Sequence, residues 1–161
     1  MNRYNYLDKP HNLKFVYDFE SFFTKKEFKL LQNKELKLNQ TENITFIIIS
    51  DRKPLGESFI ESTKITNGIF KEKYTLSNVM ILKMSKSSRE IAIAYANSLS
   101  NKINDSICEI VIKKILKPNF IVNEYYSGVM VDFLITIYDL YKEIINYFKR
   151  DKKKKMRKNS F

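Results

Sequence analysis

The chain has 161 residues, 43% of them hydrophobic, with one cysteine and a formal net charge of +11. That length and apolar content suit a single domain with one well-filled core, and one cysteine excludes an internal disulfide framework. Three glycines and three prolines are too few for a sandwich of many tight turns and favour helices with a few strands.

Residues 1–13 form a polar, charged lead without the apolar run of a secretory signal, so a cytoplasmic location is expected. His11, the only histidine, stands beside Pro10 with no orienting neighbour and reads as solvent-exposed rather than as a general base. Phe23 to Phe28 carries both devices of a helix start: Thr24 and Glu27 can cap each other, and Phe23 can pack on Phe28. A helix is predicted from there to about Asn39. Ile44–Ser50 is β-branched and almost wholly apolar, the pattern of a central strand covered on both faces. Pro54 and Gly56 mark a turn, after which Phe59, Ile60, Ile65, Ile69 and Phe70 recur at helical spacing across 57–73, weakened by Thr66-Asn67-Gly68. Val79–Met84 and Glu90–Ala96 read as strands joined into an antiparallel hairpin by Lys86-Ser87-Ser88. Strand, helix and strand between 44 and 84 imply a right-handed parallel crossover.

Ile103–Phe120 combines a helix start, an apolar body and a proline stop. Asp105 suits an N-cap and Pro118 a terminus. Glu109, Lys113 and Lys117 recur every fourth residue and leave Ile107, Cys108, Ile110, Val111, Ile112, Ile115 and Leu116 to cover most of the circumference, so this helix is expected to be mostly buried, with Cys108 a structural thiol. A last helix over about 126–150 keeps Asp132, Thr136, Asp139 and Glu143 on one polar stripe. Charges interrupt it well short of the roughly 20 apolar residues that span a bilayer, so no transmembrane segment is predicted. Lys149–Lys158 holds eight Lys or Arg and one Asp, net +7, leaving +4 for everything else. Residues 149–161 are therefore expected to form a basic, mobile tail, with an anionic surface, nucleic acid or membrane, as its candidate partner through 149–158.

Neither G-x-x-x-x-G-K, G-x-G-x-x-G, C-x-x-C nor H-E-x-x-H occurs, which leaves no standard phosphate cradle or transition-metal cluster. Five segments in order nevertheless resemble one family. Val16-Tyr17-Asp18-Phe19 ahead of Phe23-Thr24 and Glu27, Ile44–Ser50, Asn78–Leu82, Ile103-Asn104-Asp105 through Lys117-Pro118-Asn119-Phe120, and Tyr125–Val129 are together similar to the TPM domain, over about residues 14–148. The family includes a thylakoid-lumen acid phosphatase implicated in photosystem repair.

The resemblance implies an α/β fold: a three-layer α/β/α sandwich around a mixed sheet of about four strands. It also implies divalent-cation binding in some members and phosphatase activity in a plant member. Two carboxylates that the family carries fall here on Leu76 and on Asn97 or Ser98, the latter after Ala94-Tyr95-Ala96. A hard cation needs several oxygen ligands, so calcium or magnesium is expected to bind weakly if it binds. Asp18 and Asp105 match the family's positions and Asp51 lies at a strand end, where open α/β sheets hold ligands; these three are the candidate metal residues. Their alternative roles are an opening-turn residue, a helix cap and a solvated strand end respectively. The resulting expectation is a binding or regulatory module without catalytic residues, its cation site degenerate and its protein partner unknown. The alternative is a calcium-dependent, acid phosphatase-like hydrolase with Asp18, Asp51 and Asp105 around the metal.

Overall fold

A computed structural model describes residues 13–53, 56, 58–130 and 133–159, with side chains for all of these except 133–145. Residues 1–12 of the predicted lead, His11 among them, and the side chains of the polar stripe from Asp132 to Glu143 lie outside those descriptions. Four strands, β1 (Val16–Asp18), β2 (Thr45–Ser50), β3 (Val79–Ser85) and β4 (Glu90–Tyr95), form one mixed sheet in that spatial order. β1, β2 and β3 run parallel, while β4 returns antiparallel to β3 with Ser85 opposite Glu90 and Met80 opposite Tyr95. β2 is interior and every one of its residues is buried, as its unbroken apolar run requires.

Alternation along the strands divides the core into two layers. Phe46, Ile48, Met80, Leu82 and Met84 face one side, with Leu31 of helix α1 (Lys25–Glu42) and Ile107 and Val111 of α3 (Asp105–Val111). Ile47, Ile49, Val79 and Ile81 face the other, beneath Phe70 of α2 (Phe59–Lys73). The three-layer α/β/α arrangement follows from this division. Because β1, β2 and β3 lie side by side in one direction while α1 and α2 cover opposite faces, the two crossovers have opposite hands. Only one can have the common right-handed form.

The start of α1 is the predicted one: Thr24 Oγ1 accepts from Glu27 N at 3.2 Å and Glu27 Oε2 accepts from Thr24 N at 2.8 Å. Helix α2 departs from its apolar spacing. It buries Ser62, Thr63, Thr66 and Asn67 against the sheet and leaves Ile60 and Ile65 more than 40% exposed. The buried hydroxyls are satisfied within the helix, Thr63 and Ser62 donating to Phe59 O and Thr66 to Ser62 O. The reason lies below: Lys83 of β3 is fully buried, its ammonium over the Phe59 ring, and a polar helix face is the compatible cover.

Three expectations about the 103–120 segment are corrected. The helix is not mostly buried: over 105–117 only Ile107, Cys108, Val111 and Leu116 are, and Ile110 is exposed. Asn104, not Asp105, is the N-cap, its Oδ1 accepting from Ile107 N at 2.9 Å. Pro118 is not a stop either. After α3 the coil widens into a π turn over 112–116, in which Lys117 N–H reaches Ile112 O, and continues as α4 (Lys117–Ile121). Proline thus falls in the first turn of a helix segment, where a missing donor costs little. Gly128 of α5 (Tyr125–Met130) lies hard against α4, where an added Cβ would come 2.9 Å from Asn119 Cβ. Helix α6 (Phe133–Lys158) then runs on through the lysine-rich segment, so 149–158 is helical and its side chains are exposed except at Asp151.

Candidate functional site

The three parallel strands all finish at one end of the sheet, where Asp18 closes β1, Ser50 closes β2 and Ser85 closes β3. Pairing of β1 with β2 sets Asp18 directly beside Ser50. There its carboxylate is filled by the protein. Oδ1 accepts from Ser50 Oγ at 2.5 Å and from Phe22 N at 2.9 Å, and Oδ2 accepts from Phe23 N at 2.9 Å. Ser50 Oγ in turn accepts from Glu20 N at 3.0 Å. One carboxylate thus fastens two strand ends and the chain leading into α1.

Asp51, one residue beyond β2, is half-buried and held to the end of β3 by its own N–H on Met84 O at 3.0 Å. Burial raises its pKa; the Arg52 N–H, at 2.8 Å from Oδ1, and the Lys83 charge oppose that rise, while Glu20 adds to it. The crevice around it carries mixed charge. Glu20 Oε1 accepts from Lys86 N at 3.0 Å, and the Lys86 ammonium donates to Ser21 O at 2.9 Å while lying 4.7 Å from the Phe22 ring centre. Lys53 pairs with Glu90 at 3.4 Å.

Asp105 is elsewhere. Its Oδ1 accepts from Tyr95 Oη at 2.8 Å, and Tyr95 pairs with Met80, four residues before the Met84 that holds Asp51. At about 3.3 Å per residue that is a displacement of about 13 Å along the strand. Burial, with the bonded Asp105 carboxylate as the second cause, lifts the Tyr95 phenol to about 12. Burial likewise lifts the neighbouring Cys108 thiol to about 12, again with Asp105 contributing. A thiol so far from ionisation is a poor nucleophile.

The structure therefore brings Asp18 and Asp51 to one end of the sheet and leaves Asp105 at the other. Among the described residues no three His, Cys, Asp or Glu side chains approach closely enough to share an ion. At the Asp105 end, the two loops that the resemblance would furnish with carboxylates are tied together instead by Ser98 Oγ donating to Ser77 O at 2.5 Å. A hard dication seeks several free oxygens, and this donor set does not fit one.

A family model described as the TPM domain matches residues 16–132. The chain belongs to the TPM-domain family. Solved structures carry the same fold. This TPM domain resembles the N-terminal domain of a protein from P. gingivalis (TM-score 0.64, 12% identity, 77% of this chain and 80% of that one). It also resembles the N-terminal domain of the cg2496 protein from Corynebacterium glutamicum (TM-score 0.58, 10% identity, 84% and 82%). A third likeness is the BA42 protein of the psychrophilic bacterium Bizionia argentinensis (TM-score 0.57, 12% identity, 76% and 86%). No curated protein matches the chain. Among the described residues no helix of the TPM domain is long and apolar enough to cross a membrane.

Sequence reasoning missed two features of this site. Ser50 as the partner of Asp18 carries no local signal, because the two are 32 positions apart. Lys83 did leave one: a single lysine inside Val79–Ser85, otherwise apolar until its last residue, marks a strand with something polar above it.

Proposed function

We propose that this TPM domain is a binding or regulatory module without catalytic residues, in which the family's cation site has decayed. The observation that carries the reading is Asp18, whose two oxygens already accept three protein hydrogen bonds. The separation of Asp105 from Asp51 and the Ser98–Ser77 tie support it. Titration calorimetry of the full chain with calcium and with magnesium is expected to give no binding tighter than millimolar. Micromolar binding abolished by Asp18→Ala or Asp105→Ala would overturn the proposal. So would calcium-dependent hydrolysis of p-nitrophenyl phosphate that Asp51→Ala removes, since a metal-assisted phosphatase would need these acids.

The lysine-rich half of α6 is proposed as an accessory contact for anionic surfaces. Its exposed cations carry most of the net charge along one helix, and such binding weakens steeply with salt. Association with anionic vesicles or heparin is expected to be lost on deleting 149–161. Equal retention by the shortened chain would remove this contact from the proposal.

A further inference from the structure

The two edges of the sheet are treated differently by the fold. β1 is only three residues long, and Gln32 Oε1 of α1 accepts from Phe15 N at 3.1 Å and Val16 N at 3.0 Å just where it begins. β4 is twice as long and carries no proline and no bulge, with a charge only at Glu90. Which backbone groups it leaves open follows from its ladder. Ala96 N donates to Val79 O at 2.9 Å, and in an antiparallel pair bonded and unbonded positions alternate. Ala94, Ala92 and Glu90 therefore bond to β3, while the N–H and C=O groups of Ile91, Ile93 and Tyr95 point away from it. No described residue bonds to those outward groups.

This edge is the floor of a groove of about 600 Å³, with Ile60 and Lys64 of α2 on one wall and Asp105 and Glu109 of α3 on the other. The groove is apolar at its base, since Ala92, Ile93 and Ala94 are all buried. Of its charged lining residues, Lys64 is paired with Glu61 and Glu90 with Lys53, which leaves Asp105 and Glu109 without an opposite charge among the described residues. The groove is thus acidic on a chain whose net charge is +11. We infer that β4 is a docking site for an extended basic peptide segment of a partner protein, which adds as a fifth strand. Main-chain bonds to Ile91, Ile93 and Tyr95 supply the pairing; alternate side chains of the added strand are small or apolar toward the Ile60 wall of α2, and Lys or Arg toward the Asp105 and Glu109 wall of α3. Among the described residues α2 and α3 flank this edge from its two faces, a spacing that suits one inserted strand better than a second complete sheet; Ile93 is only 5% exposed, so the two walls part as the strand enters. This gives the binding module proposed above its class of partner and rests on that reading; calorimetric calcium binding would remove the reading and leave the groove test untouched.

The test uses the full chain and a phage-displayed library of short random peptides. Enriched sequences are expected to alternate Lys or Arg with small or apolar residues. The synthesised peptide should slow amide exchange at Ile91, Ile93 and Tyr95 and leave Ala92 and Ala94, already bonded to β3, unchanged. Ile91→Pro deletes an outward N–H that β3 does not use and should weaken binding at least tenfold. Should that variant not fold, Glu109→Lys on the exposed wall should weaken the same peptide about fivefold. Enriched peptides that bind Ile91→Pro undiminished, or none enriched at all, would overturn the inference. So would slow exchange of those three amides in the peptide-free chain, the mark of its own segment or a second copy on the edge.

Discussion

Glu35→Gln is expected to stabilise the chain strongly at pH 8 and hardly at all near pH 4.5. Glu35 lies on the inner face of α1, 2% exposed, and among the described residues its Oε2 has no hydrogen-bond partner. Burial raises its pKa from 4.5 to about 8, the neighbouring Lys34 charge opposing the rise; the Lys34 ammonium itself is turned to Met130 O at 2.7 Å. Between those two values the unfolded chain has released its proton and the folded chain still holds it. Stability therefore falls as pH rises, by up to about 1.4 kcal/mol per unit, and the loss is complete once the folded-state value is passed. An uncharged amide of the same shape removes this dependence. Urea denaturation followed by circular dichroism from pH 5 to pH 9 is the measurement. Wild type should lose several kcal/mol across the interval, on the order of three units at that slope, while the variant stays level in this respect. Parallel curves for the two proteins would show that Glu35 ionises normally in the folded chain.

Helix α1, its capping box, strand β2 and the β3–β4 hairpin were legible because each is fixed by local chemistry. A Thr and a Glu three apart cap a helix wherever it lies, and an unbroken run such as Thr45–Ser50 has to be covered on both faces. Each departure comes from a neighbour distant in sequence or from a choice between near-equivalent residues. Asn104 and Asp105 are both competent caps, and the register that sets Ile107 inward selects the first. Pro118 ends a helix only if the ladder keeps its period; one π turn changes the period and lets the helix pass. Helix α2 reads as amphipathic about Ile60 and Ile65, yet the sheet beneath it holds Lys83, and the face that packs there is Ser62, Thr63, Thr66 and Asn67. The candidate acids divide in the same way. Their positions at strand ends and a helix start were legible, but whether their oxygens are free depends on Ser50, Tyr95 and the amides of Phe22 and Phe23, which only the folded chain assembles.

Asp18→Ala is expected to cost about 2–4 kcal/mol of stability and to do so equally in EDTA and in excess calcium. The variant removes one acceptor that serves three donors, and bonds to a charged acceptor contribute more than neutral ones. Ser50 is fully buried, so its hydroxyl loses its acceptor where water does not replace it, and the unsatisfied group carries most of the penalty. The Phe22 and Phe23 amides lose their anchor just before Thr24, so the lead into α1 loosens against β1. For a chain of this size the thermal midpoint should drop by about 2–4 °C per kcal/mol. Ser50→Ala is the informative companion. It removes one of the three bonds together with the buried donor that would be stranded, and takes from the half-buried Glu20 N–H its acceptor, so it should cost less than Asp18→Ala, and the double variant should cost less than the two singles added together. Calcium separates this account from its rival. A carboxylate whose bonds are all to protein gives wild type no added stability when the cation is supplied, whereas a metal ligand would raise the wild-type midpoint with calcium and leave Asp18→Ala unmoved.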